Sequence, residues 1–236
     1  MTAPTRFPQG VSDAVIGSFL ELSNAPFNAG PGVGQPLTMF EDFMQSFVPD
    51  WPRTNNTGTA EVFLLTRSFP FGTLRYDIDS TQTNTFARLP GAPYSAQIGK
   101  NLWFQTRCAV TILNGGVRVG MVAQEASADA IADGIYFNCP EDSADVSIEI
   151  RNGSTTTLSQ VVGTLVASTF VELAFWLDGS RLKLHVYLDN NEVAVIDLVQ
   201  ATTPFGVNLT GGLAIAEAGA DESGMLVDNF NVVQDR

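Results

Sequence analysis

Histidine is nearly missing from this sequence, and so are cysteine and clustered positive charge. One histidine, His185, and two cysteines, Cys108 and Cys139, stand among 236 residues. A zinc centre ordinarily takes three or four His or Cys ligands, so no metal centre of that kind is expected. A Ser-His-Asp or Cys-His arrangement would have to run through His185, which sits in an alternating strand pattern with Lys183 and Tyr187 on its own face. That is the setting of a solvated strand face, and no catalytic residue is assigned. Two cysteines make no disulfide framework, and Cys108, inside an apolar run, reads as a small core residue.

Basic residues are few as well. Twelve Lys and Arg face 25 Asp and Glu, for a net charge of −13. From Val119 to Ile150 there are seven acids and no Lys or Arg. Binding along a phosphate backbone needs clustered cations that displace counterions, so neither nucleic acid nor an anionic membrane surface is an expected partner. No stretch reaches the roughly 18 apolar residues of a membrane span. Met1 to Gly10 lacks a charged start followed by an apolar run, and the expectation is a protein made in a reducing cytoplasm. Oxygen-rich turns at Asp77-Ile-Asp79 and Asp189-Asn190-Asn191 could offer hard ligands to calcium. Neither has the Gly and distal Glu of an EF-hand loop, and Asp and Asn serve turn geometry in their own right. No cofactor or metal is assigned.

What is present is apolar, and it is β-patterned. Hydrophobic residues make up 44% of the chain and charged residues 16%, enough for a sizeable core. Residues 1–35 stand apart. Pro4, Pro8, Pro26 and Pro31 interleave with Gly10, Gly17, Gly30, Gly32 and Gly34, which denies this stretch a long helix or a central strand. Yet Phe7, Val11, Val15, Ile16, Phe19, Leu20, Leu22 and Phe27 are scattered through it. An apolar segment that cannot fold alone needs another surface, either its own domain or a partner. The expected organisation is an extended arm, 1–35, and one body, 36–236.

The body reads as strands joined by turns that tolerate positive φ. Strands are expected over Leu37–Phe43, Thr59–Leu65, Lys100–Thr111, Val117–Ala123, Val146–Arg151, Ser154–Val162, Phe170–Leu177, Arg181–Leu188, Glu192–Val199, Gly212–Glu217 and Met225–Val233. Asn114-Gly115-Gly116, Asn152-Gly153, Asp178-Gly179 and Asp189-Asn190-Asn191 separate them. In Arg181–Asp189, Leu182, Leu184, Val186 and Leu188 share one face, and charged or polar side chains share the other, the mark of a half-buried antiparallel strand. Glu125–Ala132 is the one short stretch that looks helical. The fold class is therefore all-β, an antiparallel β-sandwich whose size suits a jelly roll.

Several short motifs then occur in an ordered series. Pro4-Thr-Arg-Phe-Pro-Gln-Gly-Val11 resembles the start of decoration (cement) proteins of tailed-phage capsids. So do Phe40-Glu-Asp-Phe43, Asp50-Trp51 and Gly58-Thr-Ala60. Asp133-Gly-Ile-Tyr-Phe137, Phe175-Trp-Leu-Asp-Gly179 and Val227-Asp-Asn-Phe-Asn-Val232 resemble the concanavalin- or laminin-G-like jelly rolls such proteins use. The resemblance implies a structural virion protein on the outer capsid surface, a homotrimer that binds the major capsid protein through its arm. Phe7, Val11, Val15, Ile16 and Phe19 are then the expected capsid contacts, and host-surface glycans a possible further partner.

Two alternatives remain open at this point. One is a lectin-like carbohydrate-binding module, with Trp51, Trp103, Trp176 and Tyr187 as stacking candidates; packing against the arm or another subunit is the other use of such aromatics. The second is a sandwich-fold glycoside hydrolase, which needs two carboxylates across one bond. Asp145, Ser147, Glu149 and Arg151 line one face of a strand, but the closely spaced Glu-x-Asp-x-x-Glu pattern of retaining sandwich glycosidases is absent.

Overall fold

The computed structural model describes the backbone of residues 37–41, 53–55, 63–65, 74–78, 84–88, 93–111, 113, 116–123, 131–216 and 223–235. Side chains are described at 93–111, 113, 116–123, 131–215 and 224–235. The arm residues Phe7, Val11, Val15, Ile16 and Phe19, and Trp51, lie outside the described residues.

Strands occupy most of this backbone. In chain order they are β1 (Leu37–Glu41), β2 (Arg53–Asn55), β3 (Phe63–Leu65), β4 (Leu74–Ile78), β5 (Asn84–Arg88), β6 (Tyr94–Ser95), β7 (Asn101–Val110) and β8 (Gly116–Val122). There follow β9 (Gly134–Cys139), β10 (Asp145–Asn152), β11 (Thr155–Thr164), β12 (Val171–Asp178), β13 (Lys183–Leu188), β14 (Asn191–Asp197), β15 (Asn208–Ala216) and β16 (Ser223–Gln234). They form two eight-stranded sheets. Sheet A runs β14-β13-β12-β7-β16-β4-β3, with β1 also on β16; sheet B runs β11-β10-β9-β8-β15-β5-β2, with β6 also on β15. Every pairing within them is antiparallel.

Period-two alternation decides which side chains meet between the sheets. Leu173, Phe175 and Leu177 of β12 stand opposite Leu188, Val186 and Leu184 of β13, as the alternation requires. Across β7 the same row continues through Phe104 to Val232. Sheet B contributes Val117, Val119 and Met121, then Ile135 and Phe137, then Val146, Ile148 and Ile150. The two faces lock through aromatics. Phe104 lies 5.1 Å from Phe175 and 5.0 Å edge-on from Phe230, and Phe137 reaches across from sheet B at 6.5 Å. Offset and edge-on contacts at this spacing add to the burial of the rings themselves.

Turn chemistry follows the sequence closely. Asp189 and Asn190 have φ of 47° and 66° and close the β13–β14 hairpin as a two-residue turn. In the β10–β11 hairpin the positive-φ pair is Gly153 and Ser154, one residue later than Asn152-Gly153 suggested. The Asp178 carboxylate holds the β12–β13 connection by accepting from Ser180 N at 3.0 Å, Ser180 Oγ at 2.6 Å and Arg181 N at 3.0 Å. Burial alone would raise its pKa; these hydrogen bonds, and the charge of Arg181, outweigh it and hold the carboxyl below the usual range. The body therefore starts β13 at Lys183, not Arg181.

Sequence reading misses the short or mixed strands β2, β4, β5, β6 and β9. The stretch Glu125–Ala132 falls mostly outside the described residues; Ile131 and Ala132 are irregular rather than helical. Cys108 and Cys139 are both buried and unpaired.

Candidate functional site

Sheet B has a second face, turned away from the core, and its middle strands put polar groups there. With Ile135, Phe137 and Cys139 pointing inward, β9 must point Tyr136 and Asn138 outward. Inward Ile148 and Ile150 do the same for Ser147, Glu149 and Arg151 on β10, and inward Val117 and Val119 for Arg118 on β8. Register brings them side by side: Glu149 faces Tyr136, Ser147 faces Asn138, and Asn138 faces Arg118.

Glu149 is the hub. One carboxylate oxygen accepts from the Tyr136 hydroxyl at 2.9 Å, and the other from Asn138 Nδ2 at 2.8 Å. Ser159 Oγ on β11 also donates to the latter oxygen, at 3.5 Å. Arg118 Nε donates to Asn138 Oδ1 at 3.4 Å. The Tyr136 hydroxyl is pushed well above its ordinary range, first by burial and then by the Glu149 charge and hydrogen bond, with Arg118 and Arg151 opposing. It is therefore a neutral donor at any working pH.

Two features hold Tyr136 in place. It is the register partner of Gly120, where a Cβ would stand 2.6 Å from Tyr136 Cβ. Glycine is required there because the β9 backbone passes so close, with Tyr136 Cα at 2.5 Å and Ile135 O at 2.6 Å from that Cβ position. Above it, Ile131 packs with Tyr136, Val122 and Ala214 in a small separate cluster. The segment carrying Ile131 is tied down by Ala123 N to Asp133 O, Ser154 N to Ala132 O and Gly153 N to Asp133 Oδ1, each at 2.8 Å. A wall thus rises at one end of the polar face, fastened to the β10–β11 turn.

The structure brings Ser147, Glu149 and Arg151 onto this face as their alternation demanded. Asp145 does not join them. It is exposed at the start of β10, and four residues of strand separate its Cα from that of Glu149 by about 13 Å. Sequence reading missed Arg118 and Asn138; the outward phase of β8 and β9 is the signal that would have found them.

The tryptophans do something else. Trp103 and Trp176 are parallel at 6.2 Å and 5° on the outer face of sheet A, and Trp176 stacks on His185 at 4.6 Å. Their faces are turned to one another, and Trp103 and Tyr187 are buried. His185 Nδ1 lies 2.5 Å from Glu192 Oε1, so the wet strand face expected for it is an aromatic, hydrogen-bonded environment. Asp189 Oδ1 accepts from Glu172 N at 2.9 Å, a turn role. Among the described residues no group of three or more His, Cys, Asp or Glu could hold a metal ion, and no helix is long and apolar enough to cross a membrane.

Two antiparallel eight-stranded sheets in this order, with polar groups on the outer face of one, define the architecture. It is a jelly-roll β-sandwich. The chain is similar to the carbohydrate recognition domain of Emp47p, at 12% identity and TM-score 0.56 over 83% of this chain and 93% of that one. It is similar to peanut lectin, at 10% identity and TM-score 0.58 over 86% and 98%. It is likewise similar to a protein described with endo-acting O-glycanases of the human gut microbiota that initiate mucin breakdown, at 12% identity and TM-score 0.59 over 84% and 99%. At identities this low the structural likeness shows the fold alone, a concanavalin-like jelly roll. No protein-family model and no curated protein sequence matches the chain.

Proposed function

We propose that this protein is a non-catalytic, lectin-like carbohydrate-binding module that takes its ligand on the outer face of sheet B. The observation that carries the reading is the Tyr136–Glu149–Asn138 network, flanked by Arg118 and Arg151. Sugar hydroxyls each donate and accept, and a carboxylate, an amide and two guanidiniums on adjacent strands offer both roles at hydrogen-bond spacing. Charge-assisted bonds to Glu149 are the strong ones. A single central carboxylate, already held by neutral donors, suits holding a sugar. The proteins of similar fold named as lectins and recognition domains support the reading by analogy of fold.

The test is a glycan array with the full chain, followed by titration calorimetry on the best ligand. Glu149→Gln and Asn138→Ala should each weaken binding. Absence of binding to any arrayed glycan, or binding indifferent to both changes, would sink the proposal.

A second reading is favoured by the ordered motifs from Pro4–Val11 to Val227–Val232. It places the same jelly roll on a tailed-phage capsid as a trimeric decoration protein, with the arm on the major capsid protein. The two readings are compatible, since a knob on a virion surface could hold host-surface glycans. Light scattering of the full chain and co-sedimentation with undecorated shells test it. A monomer that stays in the supernatant removes it and leaves the binding module standing.

A further inference from the structure

The polar face of sheet B is open along one side. Ser147, Glu149 and Arg151 of β10 stand beside Val161, Ser159 and Thr156 of the edge strand β11. All three β11 residues are exposed, Val161 at 57%. On the opposite side Tyr136 is buried. A ligand therefore meets Glu149 and Arg151 from the β11 side.

Arg151 differs from its fellow arginines in what neutralises it. Arg107 pairs with Asp228 at 2.8 Å, and Arg181 with Asp178 at 3.8 Å. Arg151 has no carboxylate partner among the described residues. Its one hydrogen bond runs from Nη2 to the neutral carbonyl of Ser154, at 2.8 Å and on the solvent-exposed rim. That leaves most of the five guanidinium N–H donors unused. The neighbouring carboxylates are engaged elsewhere. Glu149 accepts from Tyr136 and Asn138 on its two oxygens, and Asp133 Oδ1 accepts from Gly153 N at 2.8 Å. The guanidinium is nonetheless held in place. Ser154, at φ 65°, also donates its N–H to Ala132 O at 2.8 Å, which fixes the carbonyl that Nη2 contacts.

We propose that the glycan taken by this face carries a single acidic group, a carboxylate or a sulfate, seated on Arg151. The inference rests on the reading of sheet B as a glycan site and adds the class of sugar. A planar guanidinium offers paired N–H donors that match two oxygens of either acid. Glu149 repels an acid and accepts from hydroxyls, so it sets the orientation: acid toward Arg151, hydroxyls toward Glu149 and Asn138. Arg118, whose Nε donates to Asn138 Oδ1 at 3.4 Å, adds positive charge across the network. Both arginines act on the Tyr136 hydroxyl against the charge of Glu149. The rest of the molecule sets a limit. With net charge −13 its long-range field repels polyanions, so one acid recognised at contact distance is tolerated where a run of them is not.

The test is an array of matched pairs: uronates, sialosides and sulfated sugars, each beside its neutral parent, probed with the full chain. Calorimetry follows on the best pair. The acidic member should bind about tenfold or more tightly than its parent, the worth of one charge-assisted hydrogen bond. Which pairs respond tells carboxylate from sulfate. Arg151→Gln should bring the ratio within a pair toward one, and Arg151→Lys, which keeps the charge without the fork, should leave it between. Circular dichroism checks that both variants fold. Added salt should lower the ratio in the unaltered protein, a readout that needs no variant. Equal binding within every pair would overturn the inference and leave the glycan site standing. So would a preference for the acid that survives Arg151→Gln or ignores salt. Binding to no member of any pair would overturn both.

Discussion

Glu149 accepts hydrogen bonds from Tyr136 and Asn138 on different oxygens. Glutamine at that position keeps the shape but removes the charge and replaces one acceptor by a donor. Glu149→Gln should therefore cost about tenfold in glycan affinity, the worth of one hydrogen bond, read by calorimetry on the folded variant. Asp178 makes a second residue-scale case, with a different readout. Replacing it by alanine removes three turn hydrogen bonds and should cost about 1–3 kcal/mol in urea melts near neutrality. Because the folded carboxyl is held below its usual range, its contribution is present above the unfolded pKa and is lost as pH falls through the folded one. The gap between wild type and Asp178→Ala should shrink steadily in acid; a constant gap would contradict the assigned role.

At the scale of elements, a hairpin turn meets the turn that crosses from one sheet to the other. The β12–β13 turn abuts the turn before β7, with Gly99 N donating to Gly179 O at 2.8 Å and Gly179 N to Lys100 O at 3.1 Å. A Cβ on Gly179 would sit 2.1 Å from Lys100 O and 2.3 Å from Gln97 O, both backbone atoms. Gly179→Ala must push two turns apart and should lower stability by about 1–3 kcal/mol. Gly153 also sits in a turn, at φ +58°, but meets nothing within 4 Å. Gly153→Ala should cost about 1–2 kcal/mol, for the left-handed backbone and not for a clash. Thermal melts of each variant against wild type read both costs; no loss for Gly179→Ala would contradict the close approach of the two turns.

For the whole molecule, buried weak acids predict fragility in base. Burial pushes the Cys108 thiol up to about 12, with Cys139 adding to it, and the Cys139 thiol up to about 11, with Asp145 adding. Burial likewise raises the Tyr94 hydroxyl to about 12. Each group keeps its proton in the folded state and loses it on unfolding from its ordinary value, 9.0 for the thiols and 10.0 for the tyrosine. Their stabilising share is whole below pH 9 and falls as pH rises through the folded values. Chemical melts between pH 8 and 11 should show a steady decline starting near 9. Cys108→Ala together with Cys139→Ala should delay its onset toward 10, and an unchanged onset would remove the thiols from the account.

Much of this architecture was legible before any coordinates. Alternation in β12 and β13 named the core face of both strands, because a side-chain period of two leaves no other choice once one face is apolar. Asp189-Asn190 announced its turn, because few other residues accept positive φ. The outward placement of Ser147, Glu149 and Arg151 followed from the same period. What local patterns could not supply was which strands become neighbours. The Tyr136–Glu149–Asn138–Arg118 cluster exists because β8, β9 and β10 pair in one register, and Trp103 meets Trp176 and His185 because β7, β12 and β13 do. Short strands such as β2 and β6 carry too few residues to show a period, and form because longer neighbours offer them an edge. Composition and periodicity determined a two-faced β-sandwich; long-range strand pairing alone decided what each outer face presents, since hydrogen-bond register is a property of two segments and not of one.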